Sequence, residues 1–123
     1  MTIKHPTPAD IPQLRQLWQQ AFGDEDNFLD LFFDTAFSPE RSMCLFAGDT
    51  CAAALYWFDC SYPHGKLAYI YAVATHPNHR EQGLCRQLMA QTHQLLTRRG
   101  YAGTVLVPGE PGLFAMYAKM PKL

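Results

Sequence analysis

The sequence predicts a mixed α/β fold, one mostly antiparallel central sheet flanked by helices, and three observations predict it. Between Met43 and Thr75 lie three runs rich in β-branched, aromatic and small apolar residues, separated by short turns that contain Gly or Pro. That is the pattern of an antiparallel meander. Segments before and after it carry apolar residues every three or four positions, the period of a helix with one buried face. A last β-branched run, Thr104-Val105-Leu106-Val107, follows the second helical block.

The elements follow in order. Ile3 and its neighbours form a short first strand. Thr7-Pro8-Ala9-Asp10 is a helix start, with Thr7 a candidate N-cap and Pro8 at the first helical position. A start nearer Asp10 accommodates Pro12 more comfortably. Ile11, Leu14, Leu17, Trp18, Ala21 and Phe22 share one face, and Gly23 ends the helix. A second helix is predicted from near Asp24, with Phe28, Leu31 and Phe32 on one face, widened by Leu29, Phe33 and Phe37. Ser38-Pro39-Glu40 is a turn, Met43–Ala47 a strand, Gly48-Asp49 a hairpin turn and Cys51–Phe58 the returning strand. Tyr62-Pro63-His64-Gly65 turns the chain into the Leu67–Thr75 strand. Leu84, Leu88, Met89, Thr92, Leu95 and Leu96 then mark a long helix that Gly100 stops. Pro108–Gly112 is a loop, and Leu113–Met120 a final helix.

At 123 residues the chain is one domain, long enough to bury roughly two-thirds of its unfolded surface. Its 48% hydrophobic content suits a globular core and not a disordered segment. A net charge of −1, with only Arg98 and Arg99 adjacent among the basic residues, argues against nucleic-acid binding. Cys44, Cys51, Cys60 and Cys85 sit in apolar runs without C-x-x-C spacing and read as reduced, buried residues. There is neither a signal-peptide core nor a membrane-spanning run, so the expected location is the cytoplasm, with no membrane partner.

The chemistry concentrates in Arg80-Glu81-Gln82-Gly83-Leu84-Cys85-Arg86. A glycine stands here where a strand turns into a helix. The helix start leaves backbone N–H groups unpaired and carries the positive end of the macrodipole. Glycine lets a phosphate come close to those groups, and Arg80 adds a fixed charge. Pyrophosphate binding is the chemistry suggested. His76 and His79 are loop residues and no metal site, since no further ligands stand at metal spacing.

The stretch Val73–Cys85 resembles the acetyl-coenzyme A motif of the GNAT superfamily of N-acetyltransferases: a strand ending V-x-V, a His-Pro link, then [Q/R]-x-x-G-x-[G/A] opening a helix. Arg80 and Gly83 match, while Cys85 stands where Gly or Ala is preferred. The resemblance implies a GNAT-like sheet and direct acetyl transfer from acetyl-coenzyme A, as co-substrate and without a metal, to a small-molecule or peptide amine. It assigns the acyl and pantetheine contacts to the backbone of Val73, Ala74 and Thr75, and the pyrophosphate to Arg80, Glu81, Gln82, Gly83, Leu84, Cys85 and Arg86. Leu113-Phe114-Ala115-Met116-Tyr117 is similar to the family segment whose tyrosine lies beside the sulfur, which implies that Tyr117 is the acid for the departing thiolate. Cys85 is then a packing residue and not a nucleophile. Glu110, His64 and Asp59 are the candidate general bases, with a water-mediated route as the alternative. The sequence stops before the family's closing strands. A homodimer or a separate partner chain covering that edge is therefore expected, with a monomer whose final helix folds over it as the alternative, and a non-catalytic acyl-coenzyme A binding domain is the rival function.

Overall fold

In the computed structural model, five strands form one sheet: Thr2–Lys4 (β1), Ser42–Ala47 (β2), Thr50–Tyr62 (β3), Gly65–Thr75 (β4) and Gly103–Leu106 (β5), in spatial order β1-β2-β3-β4-β5. The structure describes residues 1–106. Val107, the expected loop with Glu110, and the expected final helix with Tyr117 lie outside the described residues. Neighbouring strands are antiparallel except β4 and β5, which run parallel and are joined through the helix Leu84–Arg98 (α3). Two-residue turns close both hairpins, at Gly48-Asp49 and at Pro63-His64. The returning strand β3 is longer than expected, because Asp59–Tyr62 continue to pair with Gly65–Ala68.

Side chains alternate across the strands and so divide the core in two. Leu45, Leu55, Trp57, Ala68 and Ile70 meet Leu84, Leu88, Met89 and Leu96 of α3. On the other face, Cys44, Phe46 and Ala54 meet Leu14 and Leu17 of the helix Ile11–Phe22 (α1). Tyr56 meets Trp18 of α1 and Leu29 of the helix Asp26–Leu31 (α2), together with Phe32. Each buried Leu, Ile, Met or Phe among these contributes about 1.5–3 kcal/mol, and each alanine methyl roughly 0.8 kcal/mol. Both expectations for the start of α1 meet here. Pro8–Asp10 form one 3-10 turn after Thr7, whose N–H and hydroxyl donate to the Asp10 carboxylate at 2.8 and 3.2 Å, and the α-helix proper starts at Ile11.

The second helix departs from expectation. It begins at Asp26, runs for six residues and passes into a wider π turn over Phe32–Ala36. Its buried face is Leu29 and Phe32, whereas Phe28 and Leu31 are exposed. The cysteines divide as well: Cys44 and Cys51 are buried, but Cys60 and Cys85 only half-buried, because Cys60 lies beyond the helices and Cys85 in the first turn of α3. Among the described residues no helix is long and apolar enough to cross a membrane.

A polar clamp ties β3 to the segment after α3. Asp59 accepts hydrogen bonds from Arg41 at 2.9 Å and from the Tyr101 hydroxyl, which itself accepts from Trp57 Nε1 at 3.3 Å. Burial pushes the Asp59 carboxyl up, but the Arg41 and Tyr101 hydrogen bonds and the Arg41 and Lys66 charges outweigh it, so it lies below the usual range. Asp10 is lowered likewise, burial being outweighed by the Thr7 N–H and by Lys4. A carboxyl depressed in the folded state stabilises above its unfolded pKa of about 3.9, and that stabilisation is lost as pH falls through the folded value. Thermal melts are therefore expected to weaken as pH drops below about 4. Asp59→Asn should cost about 1–2 kcal/mol at neutral pH, after allowance for solvent screening, and make that acid loss shallower. An unchanged acid limb in the variant would remove Asp59 from this role.

Candidate functional site

The end of β4 is built differently from the rest of the sheet. Ala54 pairs with Ala74 and Tyr56 with Tyr71, so Ala72 and Val73 together face Leu55. This bulge places Ala72 in the left-handed region at φ +52°, a cost of about 1–2 kcal/mol for a residue with a Cβ. Strain of this kind persists only where its surroundings enforce it, and it gathers at binding and catalytic positions. The bulge also breaks the alternation. Tyr71 and Ala72 both pack toward α1 and α2, Val73 toward α3, and Ala74 back toward α1.

On the opposite edge of β4, parallel pairing with β5 runs from Leu67↔Gly103 to Ile70↔Leu106. Along Tyr71–Thr75, therefore, β4 has β3 on one side and no described strand on the other. Backbone N–H and C=O groups along that side make no ladder with any described strand, the pattern of a strand edge that can bond a ligand. The strand end is held firmly from the β3 side, where the His76 N–H donates to the Ala52 carbonyl at 2.7 Å.

From there the chain turns toward α3. Pro77–His79 form a 3-10 turn whose cap is His76, its Nδ1 accepting from the Asn78 N–H at 3.1 Å. That use of the ring, with His79 stacked edge-on at 5.6 Å, explains both histidines as loop builders. Among the described residues no three His, Cys, Asp or Glu side chains gather as metal ligands. Arg80 Nε donates to the Thr75 carbonyl at 3.2 Å, which pins the loop to the strand end.

Glu81 and Gly83 then take positive φ, +64° and +73°, with Gln82 between them on the ordinary side. Backbone of alternating hand gathers successive N–H groups into an anion-binding concavity. Gly83 caps α3, and its carbonyl accepts the first helical bond, from the Gln87 N–H at 3.0 Å. A Cβ added at Gly83 would meet nothing within 4 Å, so the approach to these N–H groups is open. Arg80 and Arg86 are both exposed beside it. The loop thus fits a diphosphate-bearing ligand: backbone N–H groups and the positive dipole end at the start of a fifteen-residue helix, with two guanidinium groups beside them.

The residues expected from sequence fall into three sets. Val73, Ala74 and Thr75 line the open strand end, and Arg80–Arg86 form the adjoining loop and first helical turn. Within that loop Glu81, Gln82 and Arg86 are exposed, while the Leu84 side chain is buried in the core and offers a ligand only its backbone. Cys85 packs partly against the α3-side core. Cys85→Ala should accordingly cost about 1 kcal/mol of stability and leave coenzyme affinity and turnover close to the parent's. A folded, coenzyme-binding but inactive variant would reopen nucleophilic chemistry there. Two candidate bases are displaced from the strand end. Asp59 is locked in its clamp on the α3 face, and His64 sits at the β3–β4 hairpin tip, about 20–30 Å away along the strand.

Sequence reasoning missed Ala72 and Tyr71. Nothing in an alanine announces positive φ. Tyr71 is an unremarked member of an aromatic run, yet it stacks on Phe58 at 4.5 Å and on Tyr56 at 5.8 Å. Burial raises the Tyr71 hydroxyl well above its ordinary pKa and does the same at Tyr56, so both are neutral phenols at physiological pH.

A family model described as acetyltransferase (GNAT) domain matches residues 2–120. A search of the curated proteins found no match. Among solved structures, a GCN5-related N-acetyltransferase from Anabaena variabilis is similar with a TM-score of 0.78 and 18% identity over 94% of this chain, which spans 30% of that protein's length. A putative acetyltransferase from Agrobacterium tumefaciens gives a TM-score of 0.79 at 16% identity, covering 96% of this chain and 90% of its own. A GNAT family N-acetyltransferase from Escherichia coli, solved in complex with CoA, gives 0.76 at 20% identity, covering 94% of this chain and 66% of its own. At these identities the structures establish the fold, and the family model, spanning nearly the whole sequence, establishes the lineage: the chain belongs to the GNAT acetyltransferase family.

Proposed function

We propose that the chain transfers an acetyl group from acetyl-coenzyme A directly to the amine of a small molecule or peptide. The observation that carries this reading is the junction of an opened, bulged strand end with an anion-binding helix start, both on β4 and its following loop. Arg80, Arg86 and the N–H groups from Glu81 to Arg86 hold the pyrophosphate. The backbone of Val73, Ala74 and Thr75 holds the acyl carbonyl and the pantetheine arm. The coenzyme complex of the E. coli relative supports coenzyme A as the carrier.

An alkylammonium, with a pKa of about 10, must lose a proton before it can attack. Asp59 and His64 are displaced from the strand end, which leaves Glu110 or a water-mediated route for that proton. Tyr117 supplies the proton taken up by the departing thiolate. Rigid placement of the amine beside the acyl group, with backbone donors ready for developing negative charge, supplies much of the acceleration. The test is release of free thiol from acetyl-coenzyme A across a panel of amines. Amine-dependent release supports transfer. Binding of the coenzyme without release on any amine would favour the non-catalytic reading.

A further inference from the structure

We infer that the amine acceptor carries an aromatic body, and that Phe58 and Tyr71 form the wall that selects it; this rests on the transferase reading above. Helix α3 and the loop before it pack on one face of the sheet, while α1 and α2 pack on the other. A coenzyme held at the start of α3 leaves the opposite face of the β4 end for the incoming amine. The bulge turns both Tyr71 and Ala72 to that face.

What the amine meets there is a continuous aromatic stack. Trp18 and Phe32 lie behind, 6.4 and 5.7 Å from the Tyr71 ring, and Tyr56 lies beside it at 5.8 Å. Phe58 closes the stack, parallel to Tyr71 within 8° and 4.5 Å away. Buried at its inner end, the stack reaches solvent at Phe58, which is 43% exposed. An exposed ring held flat on a half-buried one is an ordered shelf whose free surface suits another flat ring. Ring faces also attract an ammonium group, the form in which the amine arrives. The nearest carboxylate along β3, Asp59, points to the other face and is engaged by Arg41. Recognition by rings favours an aryl-alkyl amine over a polycation, which would need several carboxylates.

The experiment titrates 2-phenylethylamine, n-butylamine and spermidine into the full chain saturated with coenzyme A, reading binding by ligand-observed NMR, with thiol release measured in parallel. Phenylethylamine should bind about fivefold to tenfold more tightly than butylamine. Phe58→Ala should erase that preference, and Phe58→Trp restore it, with coenzyme affinity unchanged in both. Equal binding of the three amines, tighter binding of spermidine, or a preference untouched by Phe58→Ala would overturn the inference while leaving acetyl transfer standing. Selective binding with no thiol release from any amine would uphold the aromatic wall and sink the transferase reading instead.

Discussion

Gly83→Asp is expected to weaken acetyl-coenzyme A binding by about 100-fold or more, close to 3 kcal/mol, while the protein stays folded. The folded state should tolerate the change because a Cβ at Gly83 meets nothing within 4 Å and Asp is among the residues best able to adopt positive φ. An aspartate at a helix N-cap is also favourable, since its carboxylate faces the first backbone N–H groups and the positive end of the dipole. Those are the groups a diphosphate needs. The variant therefore carries its own competing anion, and the ligand meets both occupied donors and a like charge. Gly83→Ala separates the contributions, because it adds backbone strain without charge and should lose much less affinity. Calorimetric titration decides it. A folded Gly83→Asp chain with the parent's affinity would remove the pyrophosphate from this loop.

Tyr117→Phe carries the second large effect, a fall in turnover of about 10²–10⁴-fold with coenzyme affinity nearly unchanged. The substitution keeps the ring and removes only the hydroxyl, the group proposed above as the proton donor. A thiolate leaving without that proton must depart as an anion, which raises the barrier of the step that releases it. The split is diagnostic: a structural tyrosine would change stability or affinity, a positioned acid mainly turnover. Steady-state kinetics beside a binding titration reads both, and a Phe variant as active as the parent would demote Tyr117 to a packing role.

Much of the fold was legible because its signals are local. Gly48-Asp49 between two apolar runs, Pro77 after His76, and Gly83 before a periodic helix each encode a backbone choice that few alternatives satisfy. The loop before α3 belongs to this class, which is why Arg80–Arg86 could be read from sequence as a strand-to-helix turn opened by Gly83. Features set by tertiary packing were not legible. In α2 the apolar residues go nearly all round, so periodicity could not tell that Leu29 and Phe32 face inward while Phe28 and Leu31 face solvent. The extension of β3 to Tyr62 depends on its partner strand, not on its own residues, Asp59 and Ser61 being poor strand formers. The bulge at Ala72 has no sequence mark, because an alanine forced to φ +52° is held there by the pairing on either side. The aromatic wall was written in the sequence as separate residues, Trp18, Phe32, Tyr56, Phe58 and Tyr71, and became a surface only when four segments met.

Backbone amide NMR of the ¹⁵N-labelled chain titrated with acetyl-coenzyme A reads coenzyme binding at the β4 end and the start of α3 directly, because it reports the N–H groups on which the proposed site is built. The largest shifts are expected in two blocks, Ala72–Thr75 at the opened strand end and Glu81–Arg86 at the start of α3, with the β3–β4 hairpin tip around His64 unmoved. Saturable binding whose shifts miss both blocks, or no binding at millimolar coenzyme, would contradict it.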